Sequence, residues 1–360
     1  MLPLPLGLAI HTPSCTVIVW SYLIEKLAPI LGLQRRIRYA NCRESRETQP
    51  KCDQELVGDE WITIFQAEDV IWDFAPSNQN LVHGGPIPEP WTQSHVFPKV
   101  RYIEYTDASF STPKPQPEWL GVLGPIIRAE VGDRVVVHFR NHAFKSGGSY
   151  GMHPHGFHYT KDNEGAHYIP AGAGAEVPPG GQFEYHWVAD DDSGPGLGDP
   201  SSLVWWYHSH VNEPLETNLG LLGPIIIARR GMGRPDGSPR DVDREFVMAF
   251  VIFNELNGEE PGLMHGINGY IFGNLRGLEM NAGDKVRWYL LGMGNEVDLH
   301  SPHWHGKTVK VGFHRTDTVE LLPGSMVTAD MRADNPGTWM IHCHVADHID
   351  AGMLTTYTIR

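Results

Sequence analysis

At 360 residues the chain has room for two domains of ordinary size, each able to bury its own core. Asp and Glu number 43 against 28 Lys and Arg, a formal charge of -15 that argues against a nucleic acid or an anionic membrane surface as partner. The 39 Gly and 28 Pro favour many short strands over long helices, and the 20 His call for a chemical explanation.

Residues 1–56 read as an irregular leader. The apolar stretch from Cys15 to Leu33 is broken by Glu25, Lys26 and Pro29, which makes it a poor membrane span, and the first ten residues lack the basic start of a signal peptide. Cys42 and Cys52 are open to pairing in an oxidising compartment or to remaining thiols. Short β-type runs then follow at Trp61 to Phe65, Val131 to Phe139, Phe183 to Trp187, Val204 to Tyr207 and Leu221 to Ala228, so residues 57–228 read as a first all-β domain. Residues 229–244, rich in Gly, Pro, Arg and Asp, carry no apolar period and read as a linker. Further runs at Phe246 to Phe253, Val286 to Leu291, Met326 to Met331, Thr338 to Ile341 and Leu354 to Ile359 make residues 245–360 a second domain of the same texture.

The halves repeat each other. Gly132-Asp133-Arg134-Val135 is answered about 150 residues later by Gly283-Asp284-Lys285-Val286. His153-Pro-His155-Gly156 is answered by His303-Trp-His305-Gly306, and His208-Ser-His210-Val211 by His342-Cys-His344-Val345. The fold expected is all-β: two duplicated Greek-key β-sandwich domains.

On a strand, residues i and i+2 share a face, so each HxH delivers two imidazoles to one side of a sheet. In His342-Cys343-His344 the cysteine must point the other way, which sets two metal sites back to back across one residue. A soft thiolate with imidazoles and a distant thioether is the blue-copper ligand set, and His300, Cys343, His348 and Met353 supply it. The other histidines, His83, His95, His186 and His265 among them, read as ordinary packed or solvated residues.

These clusters resemble the copper-binding motifs of the multicopper oxidase family over about residues 60 to 360. The segment Gly194 to His210 resembles ceruloplasmin domains, and two cupredoxin-like domains resemble a two-domain laccase. The resemblance implies four copper ions per chain. His300, Cys343, His348 and Met353 would hold the type 1 ion, and His153 and His303 the type 2 ion. The type 3 pair would take His155, His208 and His344 on one ion and His210, His305 and His342 on the other. In domain 1 the repeat puts Tyr150, Ser209 and Pro214 where domain 2 has His300, Cys343 and His348, so no type 1 ion is expected there.

The expected activity is one-electron oxidation of phenols or aromatic amines through the edge of His348, relayed by Cys343 to a trinuclear cluster that reduces dioxygen to water. Glu164 and Asp162 are candidate proton-relay carboxylates, and Tyr159 a candidate electron donor near the cluster. A ferroxidase is the alternative, motivated by the ceruloplasmin-like segment and by Glu296, Asp298, Asp347 and Asp350. A copper nitrite reductase would lack the type 3 histidines, and a simple electron carrier would leave domain 1's HxH pairs unexplained. Since each domain offers half a cluster, the resemblance further implies a homotrimer with clusters between chains, in an extracytoplasmic setting.

Overall fold

Alternation along Gln182–Val188 sends Tyr185 and Trp187 inward and Glu184 and His186 outward, the period-two pattern of a half-buried strand. The computed structural model describes residues 58–360 except 257, 259–261 and 296, together with the short strands His11–Thr12, Cys15–Thr16 and Arg35–Arg38. The expectations placed on Cys42, Cys52 and most of residues 1–56 lie outside the described residues, as does Glu296.

Four sheets stack as layers. The first is five-stranded, built on Asp59–Asp73, Arg134–Asn141 and Gln182–Val188, with Val96–Glu104 paired to Asp59–Asp73. The second runs Ile127–Glu130, Leu222–Ala228, Ser202–His208, His153–Pro154. The third, six-stranded, centres on Arg244–Asn254, Lys285–Gly292 and Met326–Arg332. The fourth runs Glu279–Met280, Leu354–Ile359, Gly337–Cys343, Pro302–Trp304. Each sheet joins parallel to antiparallel pairs, as crossing from one sheet of a Greek-key sandwich to the other requires.

Strand alternation shows how the layers are glued. Ile225 and Ile227 enter the core between layers one and two, whereas Leu222 and Ile226 of the same strand enter the core between layers two and three. Likewise Val247, Ala249 and Val251 face layer two, and Phe246, Met248 and Phe250 face layer four. An uninterrupted apolar run is therefore what these central strands need, because both of their faces are buried.

Two polar networks rim the interface between layers two and three. Lys99 is buried, donates to Asn218 O at 2.6 Å and pairs with Glu255. The buried Arg287 guanidinium donates to Asp330, Ser201 and Ser202, so its charge is paired rather than stranded. Between the sandwiches, the stretch at 229–244 is turned back on itself by Arg234, which donates to Pro239 O at 2.6 Å and Val242 O at 2.9 Å.

Candidate metal centres

The HxH pairs straddle strand ends. His208 closes Ser202–His208 and pairs in register with His153, and His342 in Gly337–Cys343 pairs with His303. In domain 1, His155 Nε2 lies 3.1 Å from His208 Nε2; in domain 2, His305 Nε2 lies 3.1 Å from His342 Nε2. The duplication thus holds down to single atoms. His208 Nδ1 donates to Ser209 O at 2.9 Å and His342 Nδ1 to Cys343 O at 2.7 Å, while His153 Nδ1 donates to Glu164 O at 2.8 Å. A carbonyl only accepts, so each ring carries its proton on Nδ1 and presents an Nε2 lone pair to a metal.

Gly156 and Gly306, the residues after each first HxH, adopt φ of 75° and 71°. A Cβ at either would meet the indole of Trp205 or Trp339, so only glycine lets the chain turn there beside the tryptophan.

Burial favours the neutral form of His153, His155 and His208. It lowers His155 to about 4 and His208 to about 3, helped by mutual repulsion among His153, His155, His208 and His210. His303 and His342 shift the same way, again chiefly by burial. Neutral imidazole is the form that ligates. Among the described residues, every ring contact joining these histidines stays within one set of four, either His153, His155, His208 and His210 or His303, His305, His342 and His344. The first set sits on layer two and the second on layer four, with the six-stranded sheet between them.

Cys343 faces the opposite way from His342, into the core between layers three and four, beside Met353. Its Sγ lies 3.5 Å from His348 Nδ1 and 3.9 Å from His300 Nδ1, and it accepts from Ser301 N at 3.3 Å. One thiolate, two Nδ1 atoms and a buried thioether fit copper by the softness of the donors. Asp298, entirely buried, accepts from His300 Nε2 at 3.2 Å and from Ile252 N at 2.7 Å, which fixes the ring with Nδ1 toward the sulfur. The sequence offers Asp298 as one of the acids that motivate a ferroxidase; its burial makes it instead the group that orients His300.

In domain 1 the corresponding positions are filled by neutral contacts. Ser209 Oγ accepts from Gly151 N at 3.0 Å, Tyr150 OH donates to Ser146 Oγ at 2.9 Å, and Pro214 sits in the first turn of the helix Glu213–Leu219. The proposed relay groups are placed unevenly. The Glu164 carboxylate is held by Lys161 and by Tyr168 OH at 2.7 Å, and it is the Glu164 backbone that touches His153. Asp162 is exposed and accepts from Ala173 N at 2.9 Å, a loop contact. Tyr159 lies edge-on to His153, centroids 6.1 Å apart, and packs on the first core.

Over His348 opens a cavity of about 300 Å³ lined by Trp91, Ile252, His265, Asp347 and Asp350. His265, with its ring 5.2 Å from that of His348, was passed over by the sequence reading. It comes from the separate strand Leu263–Ile267, and no short-range spacing links it to the cysteine motif.

Two multicopper oxidase family models match, one over residues 120–231 and the other over 241–360. The chain belongs to the multicopper oxidase family. It is 38% identical over 329 residues to Ferroxidase HEPHL1 of Homo sapiens, covering 80% of this chain and 28% of that protein. It is 36% identical over 334 residues to Hephaestin of Homo sapiens (81% and 29%) and 37% identical over 294 residues to Ceruloplasmin of Homo sapiens (74% and 27%). The chain therefore spans under a third of the length of these relatives. A solved multicopper oxidase shares the fold at a TM-score of 0.61 and 20% identity, covering 84% of this chain and 90% of that one. The Blue Copper Oxidase from Nitrosomonas europaea does so at 0.58 and 22%, covering 83% and 85%. The expected cupredoxin-like architecture is borne out. No helix among the described residues is long and apolar enough to cross a membrane.

Proposed function

We propose that this chain is a multicopper oxidase whose reducing substrate is a small metal cation, with ferrous iron the first candidate. The observation that carries this reading is the cavity over His348, where Asp347, Asp350 and His265 gather around a centre ligand. Carboxylate oxygens with one imidazole suit a small divalent cation and favour its more highly charged oxidised form. The relative named a ferroxidase, HEPHL1, supports the same choice over the phenol oxidation expected from the two-domain resemblance. The apolar walls Trp91 and Ile252 favour a second reading, an aromatic donor lying against the same His348 edge.

Copper in these centres would supply one-electron transfer at the cysteine site and four-electron reduction of dioxygen to water at the histidine sites. The protein's own part is positional. Asp298 holds His300, Glu164 O holds His153, and the Cys343–His342 peptide joins the two kinds of centre by the shortest covalent route.

We also propose four ions per chain, as the family resemblance implies, and that the three-ion cluster is completed by the histidines of a second copy. The separation of the two sets onto layers two and four supports this. A ring of three and an extracytoplasmic location follow from the two-domain resemblance.

Turnover of ferrous iron and of 2,6-dimethoxyphenol should be compared on one copper-loaded preparation and on Asp347→Asn and Asp350→Asn. The KM for iron should rise by about tenfold, with the phenol KM changed less than about twofold. Equal effects on both substrates, or no iron turnover, would reject the cation reading.

A further inference from the structure

We propose that Trp91, carried across from the first sandwich, sets donor size at the His348 centre: it closes the His348 edge to ring-shaped organic donors and leaves it open to a small hydrated cation. The inference rests on the cation reading for the identity of the donor that is admitted.

Trp91 lies between Asp59–Asp73 and Val96–Glu104, two strands of the first layer, yet it lines a cavity of the second domain. The segment that carries it is closed at its base by His95, whose ring bridges Asp73 and Asn78 at 2.8 and 2.9 Å. Its outer part is pinned to residues 271–274. Ser77 N and Oγ both donate to Asn274 Oδ1, at 3.1 and 2.7 Å, Asn274 Nδ2 donates to Gln79 O at 3.1 Å, and Leu81 N donates to Phe272 O at 2.9 Å. Phe272 N and Gly273 N in turn donate to Gly352 O and Leu354 O, on either side of Met353. The segment and the ligand loop are therefore bonded into one unit.

Trp91 is itself held in place. Its Nε1 donates to Leu263 O at 3.0 Å, its ring meets Phe272 edge-on with centroids 5.4 Å apart, and it is packed in the core that also holds Ile87 and Ala351. An indole that rotated out would give up that bond and that packing together. At 8% exposure it has no free ring face to offer an aromatic donor, so it acts as a wall and not as a stacking surface. Ile252 and His265 are buried around the same cavity, and His348 is only 3% exposed, whereas Asp347 and Asp350 are exposed. The open side is thus the acidic one, which draws in a cation. A planar ring must come into van der Waals contact with the imidazole, and Trp91 occupies the space it would need.

Turnover of ferrous iron, hydroquinone and 2,6-dimethoxyphenol on copper-loaded wild type, Trp91→Ala and Trp91→Leu tests the wall. The ratio of kcat/KM for 2,6-dimethoxyphenol to that for iron should rise at least about tenfold in Trp91→Ala, with a smaller gain for the narrower hydroquinone and a smaller gain in Trp91→Leu. In the copper-free protein, diethyl pyrocarbonate should modify His265 and His348 faster in Trp91→Ala than in the wild type, while its rate at the exposed His158 stays the same. A fall in 2,6-dimethoxyphenol turnover in both variants would make Trp91 a stacking surface, an unchanged ratio or modification rate would leave it no part in access, and loss of the blue absorption in both would make it a support of the centre. Each of these results overturns the proposal. A wild type that oxidises no iron rejects the cation reading instead, and the gain in 2,6-dimethoxyphenol turnover over the wild type then still tests the wall.

Discussion

His342 and Cys343 share one peptide unit and serve opposite faces: His342 Nε2 stands 3.1 Å from His305 Nε2, while Cys343 Sγ stands 3.5 Å from His348 Nδ1. Alternation at the end of Gly337–Cys343 makes that juxtaposition, and it separates the two functions cleanly. Cys343→Ser should abolish the intense absorption of a copper–thiolate centre and reduce substrate oxidation at least about a thousandfold. The histidine-only sites should still take up copper. Survival of the blue band in the variant would show that the ligand assignment is wrong.

The same comparison predicts the count of such centres. Ser209 and Tyr150 are committed to neutral hydrogen bonds, and Pro214 offers no donor atom at all. Spin counting by electron paramagnetic resonance should find one type 1 signal per chain in the fully loaded protein. Two would contradict the reading of domain 1.

How much of this was legible in the sequence follows from the range of the signals. The HxH pairs, the cysteine between two of them and the duplication are local, and period-two alternation turns such patterns directly into faces. The strand at Leu222–Ala228 was legible as an apolar run, yet nothing local says that its two faces feed two different cores. Asp298 and His265 were misread because their roles depend on neighbours brought in by tertiary packing, a buried His300 in one case and the cavity over His348 in the other.

Lys99 tests how the two sandwiches are held together. Its ammonium is buried against Glu255, Asn218 O and the face of Phe253, 4.6 Å from the ring centroid. Lys99→Met leaves the Glu255 carboxylate buried without its cation and should cost about 3–5 kcal/mol in chemical denaturation. Lys99→Met with Glu255→Leu should recover most of that loss. A double variant as unstable as the single one would mean that packing, rather than charge pairing, sets the cost.

Acid should weaken the copper-free protein through the domain 1 histidines. His155 and His208 are held near 4 and 3 in the fold, against about 6.5 in an unfolded chain. Below about pH 6.5 the unfolded chain takes up protons that the fold refuses, so their contribution is complete above that pH and is lost as pH falls toward 4 and 3. Urea midpoints measured from pH 7.5 to 4.5 should fall, and His155→Ala with His208→Ala should flatten the slope. An identical slope in the variant would assign the acid sensitivity to other groups.

The final prediction concerns where the cluster forms. His153, His155, His208 and His210 lie on the second layer, and His303, His305, His342 and His344 on the fourth, so neither set completes a cluster of eight by itself. If a second copy supplies the missing half, a chain carrying His208→Ala and His210→Ala and a chain carrying His303→Ala and His305→Ala should each be inactive alone. Refolded together in equal amounts, roughly a quarter of the interfaces would unite an intact domain 2 set with an intact domain 1 set by random assembly. Dioxygen uptake should then return to about a quarter of the wild-type rate. If each cluster instead formed within one chain, every cluster in the mixture would still lack two histidines. Mixed oligomers verified by mass, with uptake indistinguishable from zero, would therefore rule out assembly between copies.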